Sequence, residues 1–133
     1  MKKIDEIDLP EGLRYSPDHE WVRAEGDLAR IGLTDYAQDQ LGDVVYVELP
    51  AVGARMAKGE VFATVESVKA VSECFLPLAG EIVAVNERLA DAPALLNRDP
   101  YGEGWLVQVR PDDPADIERL LTAGQYHSHL KPS

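Results

Sequence analysis

Apolar and polar residues alternate in several short runs along the chain, which is the pattern of strands with one buried face. Residues 20–24 and 28–33 are two such runs, and the Gly-containing loop between them predicts an antiparallel hairpin. Further strands are predicted by the runs at 43–49, 60–66, 71–75, 81–85 and 105–110. The chain is therefore expected to be built largely from short strands.

The hydrophobic period changes to that of a helix between Thr34 and Gly42. Asp35 and Gln38 have the spacing of a capping box, and Gly42 is placed to end the helix. The apolar stripe of this helix, which would face the sheet, consists of Leu33, Ala37 and Leu41. Packing against the core is the simplest role for that stripe.

A second helix is predicted near the C-terminus. Asp113 is a suitable N-cap, Pro114 occupies the first helical position, and Gly124 would end the helix. Its buried stripe would be Ile117, Leu120 and Leu121. One further helical turn is predicted around residues 93–96, within a loop-rich segment.

Many short strands without alternating strand–helix units predict a mainly β fold, either a sandwich or a flattened barrel with helices at its sides. The polar segment 1–12, with a turn signal at Pro10-Glu11-Gly12, is predicted to be a flexible N-terminal arm. Residues 13–133 are predicted to form one domain that includes the C-terminal helix.

The strands on either side of Ser67-Val68-Lys69-Ala70 are predicted to meet there in a tight turn. A lysine at the tip of a hairpin is held away from the body by two strands, and its amine is open to a modifying enzyme. An ordinary solvated surface lysine is the alternative interpretation.

Composition excludes several classes of partner. The net charge is −11, from 24 acidic and 13 basic residues, and this argues against nucleic acid, whose phosphates require a clustered basic surface. No apolar run approaches the length of a membrane span, and the N-terminus lacks the apolar region of a signal peptide. A single cysteine, Cys74, is typical of a reducing compartment, so a cytoplasmic location is expected.

Residues that could carry catalysis are not arranged for it. No serine lies in a nucleophile elbow, and no Gly-rich phosphate loop precedes a helix. His19, His127 and His129 lack the spacing of metal ligands, so no metal site is predicted. Cys74 is interpreted as a small core residue, with exchange at a redox-active group as the alternative.

The segment Glu66-Ser67-Val68-Lys69-Ala70 resembles the lipoylation motif of the glycine cleavage H-protein family. The similarity continues in order through residues 19–22, 32–38, 41–50, 80–86 and 99–105, and it covers the chain from about Leu13 to Tyr126. The resemblance implies a flattened β-barrel or sandwich of the lipoyl and biotinyl carrier type, the hybrid barrel.

The same resemblance implies a non-catalytic carrier with lipoate joined covalently to Lys69. The arm would carry an aminomethyl group and reducing equivalents among glycine decarboxylase, aminomethyltransferase and dihydrolipoyl dehydrogenase. A lipoate-protein ligase or a lipoyl transferase would attach the lipoyl group, and the carrier is expected to be a monomer. Glu66, Ser67, Val68 and Ala70 would form the attachment motif around Lys69.

The family also holds its loaded arm in a cleft on the carrier. Glu20 would contact the amine, in a charge-assisted interaction. The apolar wall of the cleft would be formed by Leu33, Ala37 and Leu41, so the helix stripe would have a second use beside core packing.

The chain departs from the usual family pattern at Cys74, Phe75 and Leu76, close to the attachment motif. An H-like lipoate-binding protein that carries sulfur in cytoplasmic sulfur oxidation, with a heterodisulfide reductase-like complex, is therefore the alternative function. A biotin carrier is disfavoured because Val68 and Ala70 stand where such carriers have methionines. An unmodified acidic interaction module is the last alternative.

Overall fold

The computed structural model describes residues 2–131 of the chain. The strands are β1 (Arg14–Tyr15), β2 (Glu20–Glu25), β3 (Leu28–Leu33), β4 (Val44–Glu48), β5 (Arg55–Met56), β6 (Val61–Ser67), β7 (Val71–Phe75), β8 (Gly80–Val85) and β9 (Val107–Pro111). The α-helices are α1 (Asp35–Leu41), α2 (Arg88–Asp91), α3 (Leu95–Arg98) and α4 (Ala123–Leu130). None of the helices within residues 2–131 has the length and apolar character that crossing a membrane requires.

The strands form two antiparallel sheets. The larger sheet has the order β1-β2-β3-β9-β8-β5, and the smaller has the order β4-β6-β7. Alternate residues of both sheets point into one apolar core, in which Val22, Ile31, Val65 and Ile82 are fully buried. This architecture confirms the predicted mainly β sandwich with short flanking helices and a C-terminal helix.

The predicted hairpin of β2 and β3 is present, and its register matters for the site. Glu20 lies opposite Leu33 across the two strands, at the end of the hairpin that leads into α1. Gly26 forms the turn at the other end with a positive φ of 61°. The register therefore places two of the predicted cleft residues side by side.

Helix α1 begins and ends close to the predicted residues, although its cap differs. Thr34 is the N-cap, and its side-chain oxygen accepts a hydrogen bond from the amide of Ala37 at 3.2 Å. The carboxylate of Asp35 instead accepts from Gln38 and from the backbone amide of Asp8. Gly42 ends the helix with a φ of 75°, as its position in the sequence predicts.

The predicted position of the C-terminal helix is wrong. Asp113 does act as a cap, but the helix that it caps is a short 3-10 helix, Pro114–Asp116. The α-helix α4 begins nine residues further along the chain, at Ala123, because Thr122 and Gln125 form a reciprocal capping box. Gly124 consequently lies in the first turn of α4, where it does not end a helix.

Residues 2–10 make defined contacts with the body of the protein. The ammonium group of Lys2 lies 2.7 Å from the buried carboxylate of Asp35, and Ile7 is buried. The hydroxyl group of Tyr101 donates to the carbonyl oxygen of Asp8 at 2.6 Å, and that of Tyr15 donates to the carbonyl oxygen of Pro10 at 2.7 Å. Whether the segment 1–12 moves as an arm, and whether the domain begins at residue 13, stay predictions.

Candidate functional site

The tip of the β6–β7 hairpin is a tight turn whose geometry depends on Ser67. Glu66 pairs with Val71 in the last register position of the two strands. The amide of Ser67 donates to the carbonyl oxygen of Ala70 at 2.8 Å. The side-chain oxygen of Ser67 accepts from the amides of Lys69 and Ala70 at 3.3 and 3.1 Å. Val68 and Lys69 are therefore left at the outermost point of the turn.

The loop between α1 and β4 contacts both the backbone and the lysine side chain of this tip. The amide of Val68 donates to the carbonyl oxygen of Asp43 at 3.0 Å. The stem of Lys69 crosses Gly42, since a Cβ atom built on Gly42 would lie 3.3 Å from Cε of Lys69. Lys69 itself is exposed, and within residues 2–131 no carboxylate forms an ion pair with it. Its amine is thus available for acylation.

The surface around the tip is apolar and acidic. Val68 is 70% exposed and Val71 is 66% exposed, which is unusual for valine in a small domain. Val45 and Tyr46 of the neighbouring strand β4 are about half exposed. Within the β6–β7 hairpin, residues 61–75, Lys69 is the only basic residue, and Glu66 and Glu73 are acidic. This surface is suited to contact with a partner that has basic side chains around an apolar patch.

A cleft of about 390 Å³ opens beside the hairpin tip, between α1 and β7. Its lining includes Ala37 and Leu41 from α1 and Ala70 from the hairpin. It also includes Glu20 and Leu33, which are only 1% and 4% exposed, and these two buried residues are called the inner end of the cleft. The structure therefore brings the four predicted cleft residues together. The cleft has further lining residues that were not predicted from the sequence: Asp18, His19, Tyr36, Gln40, Val71, Ser72 and Glu73. Val71, Ser72 and Glu73 directly follow the predicted attachment motif, and this proximity to Lys69 is the signal that could have indicated them.

Glu20 is the buried carboxyl group of the cleft, with only 1% of its surface exposed. Its carboxyl group accepts a hydrogen bond of 2.5 Å from the hydroxyl of Ser16. Burial raises the pKa of Glu20 to about 8, and the hydrogen bond from Ser16 opposes that rise only in part. At neutral pH the protonated form of the carboxyl group is therefore favoured. A cationic amine brought beside it would favour the ionised form.

Cys74 is buried, as predicted, but it also lines the cleft. Burial raises the pKa of its thiol well above the usual range, and the nearby Glu20 adds to the rise. A protonated thiol is a poor nucleophile and a poor partner for disulfide exchange. The burial of Cys74 and the raised pKa of its thiol therefore favour a packing role.

His19, which lines the cleft, has a backbone φ of 75°, which is unusual for a residue other than glycine. Its Nδ1 atom lies 2.7 Å from the hydroxyl oxygen of Tyr126, and that oxygen lies 2.9 Å from the hydroxyl oxygen of Thr34. Burial lowers the pKa of His19.

His127 and His129 lie on α4, where they contact Asp5 and the carbonyl oxygen of Pro17. Among residues 2–131, no three His, Cys, Asp or Glu side chains are grouped as metal ligands would be.

A β sandwich that presents a lysine on a hairpin tip beside a cleft is the architecture of a carrier domain, in which the lysine side chain holds the cargo. A family model described as "Glycine cleavage H-protein" matches residues 13–133. The chain therefore belongs to the glycine cleavage H-protein family.

Individual relatives agree with this assignment. The chain is 52% identical over 120 residues to a glycine cleavage system H protein of Bacteroides thetaiotaomicron, covering 90% of this chain and 95% of the relative. It is 52% identical over 125 residues to one of Bacillus licheniformis, covering 94% and 98%. A crystal structure of a glycine cleavage system H protein from Mycobacterium marinum aligns with a TM-score of 0.82 and 42% identity, covering 90% of this chain and 96% of that one.

Proposed function

We propose that this chain is a lipoyl carrier of the glycine cleavage system, with the lipoyl group attached to Lys69. The observation that carries the proposal is the position of Lys69 at the exposed tip of a rigid hairpin, directly beside a cleft. Glu66, Ser67, Val68 and Ala70 would form the motif that the attaching enzyme recognises, and Ser67 would also fix the shape of the turn through its hydrogen bonds.

The residues present fit a lipoyl group. A lysine that carries a lipoyl group reaches about 13 Å from its Cα, at roughly 1.2 Å for each of about eleven bonds. Lys69 is exposed at the side of the cleft, and Leu33, Ala37 and Leu41 offer an apolar wall for the hydrocarbon part of the arm. When bound, lipoate supplies a cyclic disulfide that can accept an aminomethyl group together with two electrons.

The other residues of the cleft would protect the cargo. Glu20 at the inner end would meet the cationic amine of the cargo, and its carboxyl group would release its proton to form a charge-assisted contact. The apolar wall would exclude water from the carbon that joins the amine to sulfur. A buried ion pair of this kind holds the arm only while the amine is present, so the unloaded arm would leave the cleft more easily.

The role is that of a non-catalytic subunit with several partners. Glycine decarboxylase would load the arm, aminomethyltransferase would unload it, and dihydrolipoyl dehydrogenase would reoxidise it, with a lipoate-protein ligase or lipoyl transferase attaching the lipoyl group. A tethered arm raises the effective concentration of the cargo at each docked enzyme. A monomer in the cytoplasm remains the expectation. The sulfur-carrier alternative gains no support, because the relatives reported above are named for glycine cleavage.

Intact mass tests the attachment. The chain is coexpressed with a lipoate-protein ligase and supplied with lipoate, beside a Lys69→Arg variant that keeps the charge but cannot be acylated in this way. We expect one lipoyl group on the wild-type chain and none on the variant. Failure of the wild-type chain to gain a lipoyl group under active ligase would refute the proposal.

Loading with cargo separates the two pathways. The lipoylated chain is incubated with glycine decarboxylase, its pyridoxal phosphate cofactor and glycine, and its mass is measured again. A gain of one aminomethyl group together with reduction of the disulfide is expected. A lipoylated chain that glycine decarboxylase does not load would contradict the glycine cleavage role, although it would leave the attachment to Lys69 standing.

A further inference from the structure

Asn97, on helix α3, forms three hydrogen bonds with the end of α1 and the start of β4, next to the hairpin tip. Its side-chain amide donates to the carbonyl oxygen of Gly42 at 2.8 Å and to the side-chain oxygen of Gln38 at 3.1 Å. Its side-chain oxygen accepts from the amide of Val44 at 2.8 Å. One amide group thus joins the last turn of α1 to the first residue of β4.

This loop is the part of the protein on which the tip of the hairpin rests. The carbonyl oxygen of Asp43 accepts the hydrogen bond from Val68, and the stem of Lys69 lies across Gly42. Asp43 lies between the two residues whose backbone Asn97 binds, so its carbonyl direction is set by those bonds. A chain of contacts therefore connects Asn97 to the backbone and the side chain of the acylable turn.

The same loop borders the cleft. Leu41, which precedes Gly42, belongs to the apolar wall, and Gln40 also lines the cleft. Because the lysine stem crosses Gly42, the base of the arm leaves the tip beside the end of α1. The orientation of residues 42–44 therefore affects the direction in which the Lys69 side chain leaves the hairpin tip.

We propose that Asn97 is a positioning residue for Lys69, which holds residues 42–44 as a platform for the hairpin tip. This inference rests on the proposed attachment of a lipoyl group to Lys69. Without Asn97, the platform and the tip would sample several orientations, of which an acylating enzyme binds only one. Since the apparent affinity falls with the competent fraction, a tip that is competent one-fifth to one-tenth of the time raises KM about five- to tenfold.

The test compares Asn97→Ala with a matched control elsewhere in the fold. Asn86 is also a side-chain amide that donates to two backbone carbonyl oxygens, those of Glu103 and Trp105, at 2.7 and 2.8 Å. It binds a different loop, so Asn86→Ala should lose stability without affecting the tip. A second variant, Asn97→Asp, keeps the shape and the acceptor for Val44 but removes the donor to Gly42.

Initial rates of lipoylation by a lipoate-protein ligase, with lipoate and ATP, are measured over a range of carrier concentrations for each full-length chain. We expect Asn97→Ala and Asn97→Asp to raise KM for the carrier about five- to tenfold, with kcat changed by less than about twofold. Asn86→Ala should keep the wild-type KM. Amide hydrogen exchange at Val68, which does not depend on lipoylation, should be faster in the Asn97 variants only.

The outcomes distinguish a failure of the proposed attachment to Lys69 from a failure of the positioning role of Asn97. A wild-type chain that the ligase does not acylate would refute the proposed function, whereas exchange at Val68 would still report on the platform. If the wild-type chain is acylated and the Asn97 variants keep its KM and its Val68 exchange rate, the positioning role is wrong. An equal rise in KM for Asn86→Ala would also overturn it, because the effect would then reflect general loss of stability.

Discussion

The tip of the β6–β7 hairpin and the inner end of the cleft are built in opposite ways, although an arm on Lys69 would serve both. At the tip, Val68 and Val71 are mostly exposed, and the turn is held by backbone and serine hydrogen bonds. At the inner end, Glu20 is 1% exposed, and a carboxyl group is kept there against the cost of burial. The cleft between α1 and β7 joins the two regions, since both Glu20 and Ala70 line it.

This contrast matches two requirements of a carrier. An enzyme that loads or unloads the arm must reach the lysine, so the tip exposes apolar side chains at a cost in solubility. Labile cargo must be kept from water, and the inner end buries Glu20 and Leu33, although burial of a carboxyl group has a cost in stability. The tip would thus provide recognition and the cleft protection, and changes in the two regions should have separable effects.

The largest expected effect concerns the pH dependence of stability at Glu20. The folded chain holds the Glu20 proton up to about pH 8, whereas the unfolded chain releases it near the ordinary value of 4.5. The contribution of Glu20 to stability is therefore full below pH 4.5 and is lost as the pH rises toward 8. Glu20→Gln should match the wild-type chain near pH 4.5 and exceed its free energy of unfolding by about a few kcal/mol at pH 8.

Urea unfolding at several pH values measures this difference, with Glu73→Gln as a control because the Glu73 side chain is exposed. If the free energies of unfolding of the wild-type chain and Glu20→Gln change with pH in the same way, burial does not raise the pKa of Glu20.

The next effect concerns the conformation of Gly42. Its φ of 75° and ψ of −158° lie in a region that residues with a Cβ atom rarely adopt, and the added atom would also press on the Lys69 stem. Gly42→Ala should therefore lower the free energy of unfolding by about 1–3 kcal/mol. Gly124→Ala is the control, because Gly124 lies in α4 with open space around it, and it should stabilise by about 0.5–1 kcal/mol. Equal effects of the two changes in thermal unfolding would contradict the account of the platform.

A smaller effect is expected at Tyr126, which links α4 to His19 on the wall of the cleft. Tyr126→Phe keeps the stacking on Tyr15 but removes the hydroxyl that bonds to His19 and Thr34. We expect a loss of about 1–2 kcal/mol in the free energy of unfolding, since two largely buried polar atoms lose a partner. The half-exposed Tyr46 provides the control, Tyr46→Phe, which should be close to neutral. A neutral Tyr126→Phe would mean that α4 does not hold His19.

The smallest effect on stability is expected at the tip. Val71→Ser should change the free energy of unfolding by less than about 0.5 kcal/mol, because Val71 is already exposed. The same change should raise KM for the lipoylating enzyme about two- to fivefold if the apolar tip is recognised. Val52→Ser, at a similarly exposed valine in the loop before β5, should leave KM unchanged. If both valine variants behave alike, the tip is not a recognition surface.

Much of the fold could be predicted because the strands alternate clearly and the turns carry Gly or Pro. The position of α4 could not, since Asp113 and Pro114 have the same local signature as the start of a long helix. The choice between that start and the capping box of Thr122 and Gln125 depends on tertiary packing, in particular on the burial of Tyr126.

The residues of the site likewise differ in whether local sequence or tertiary packing determines their position. The lysine at the tip follows from local patterning, because a hairpin turn is a property of adjacent residues. The contribution of Asn97 could not be anticipated, because it lies 53 positions from the Val44 amide that it binds. The position of Cys74 on the cleft wall likewise depends on how β7 packs beside α1.

Mapping the acylated residue tests the central claim most directly. Cleavage of the lipoylated chain after glutamate releases residues 67–73, a fragment that contains Lys69 as its only lysine. We predict that the mass of one lipoyl group is found on this fragment, with fragmentation placing it on Lys69. A lipoyl group on any other lysine, with residues 67–73 unmodified, would contradict the account.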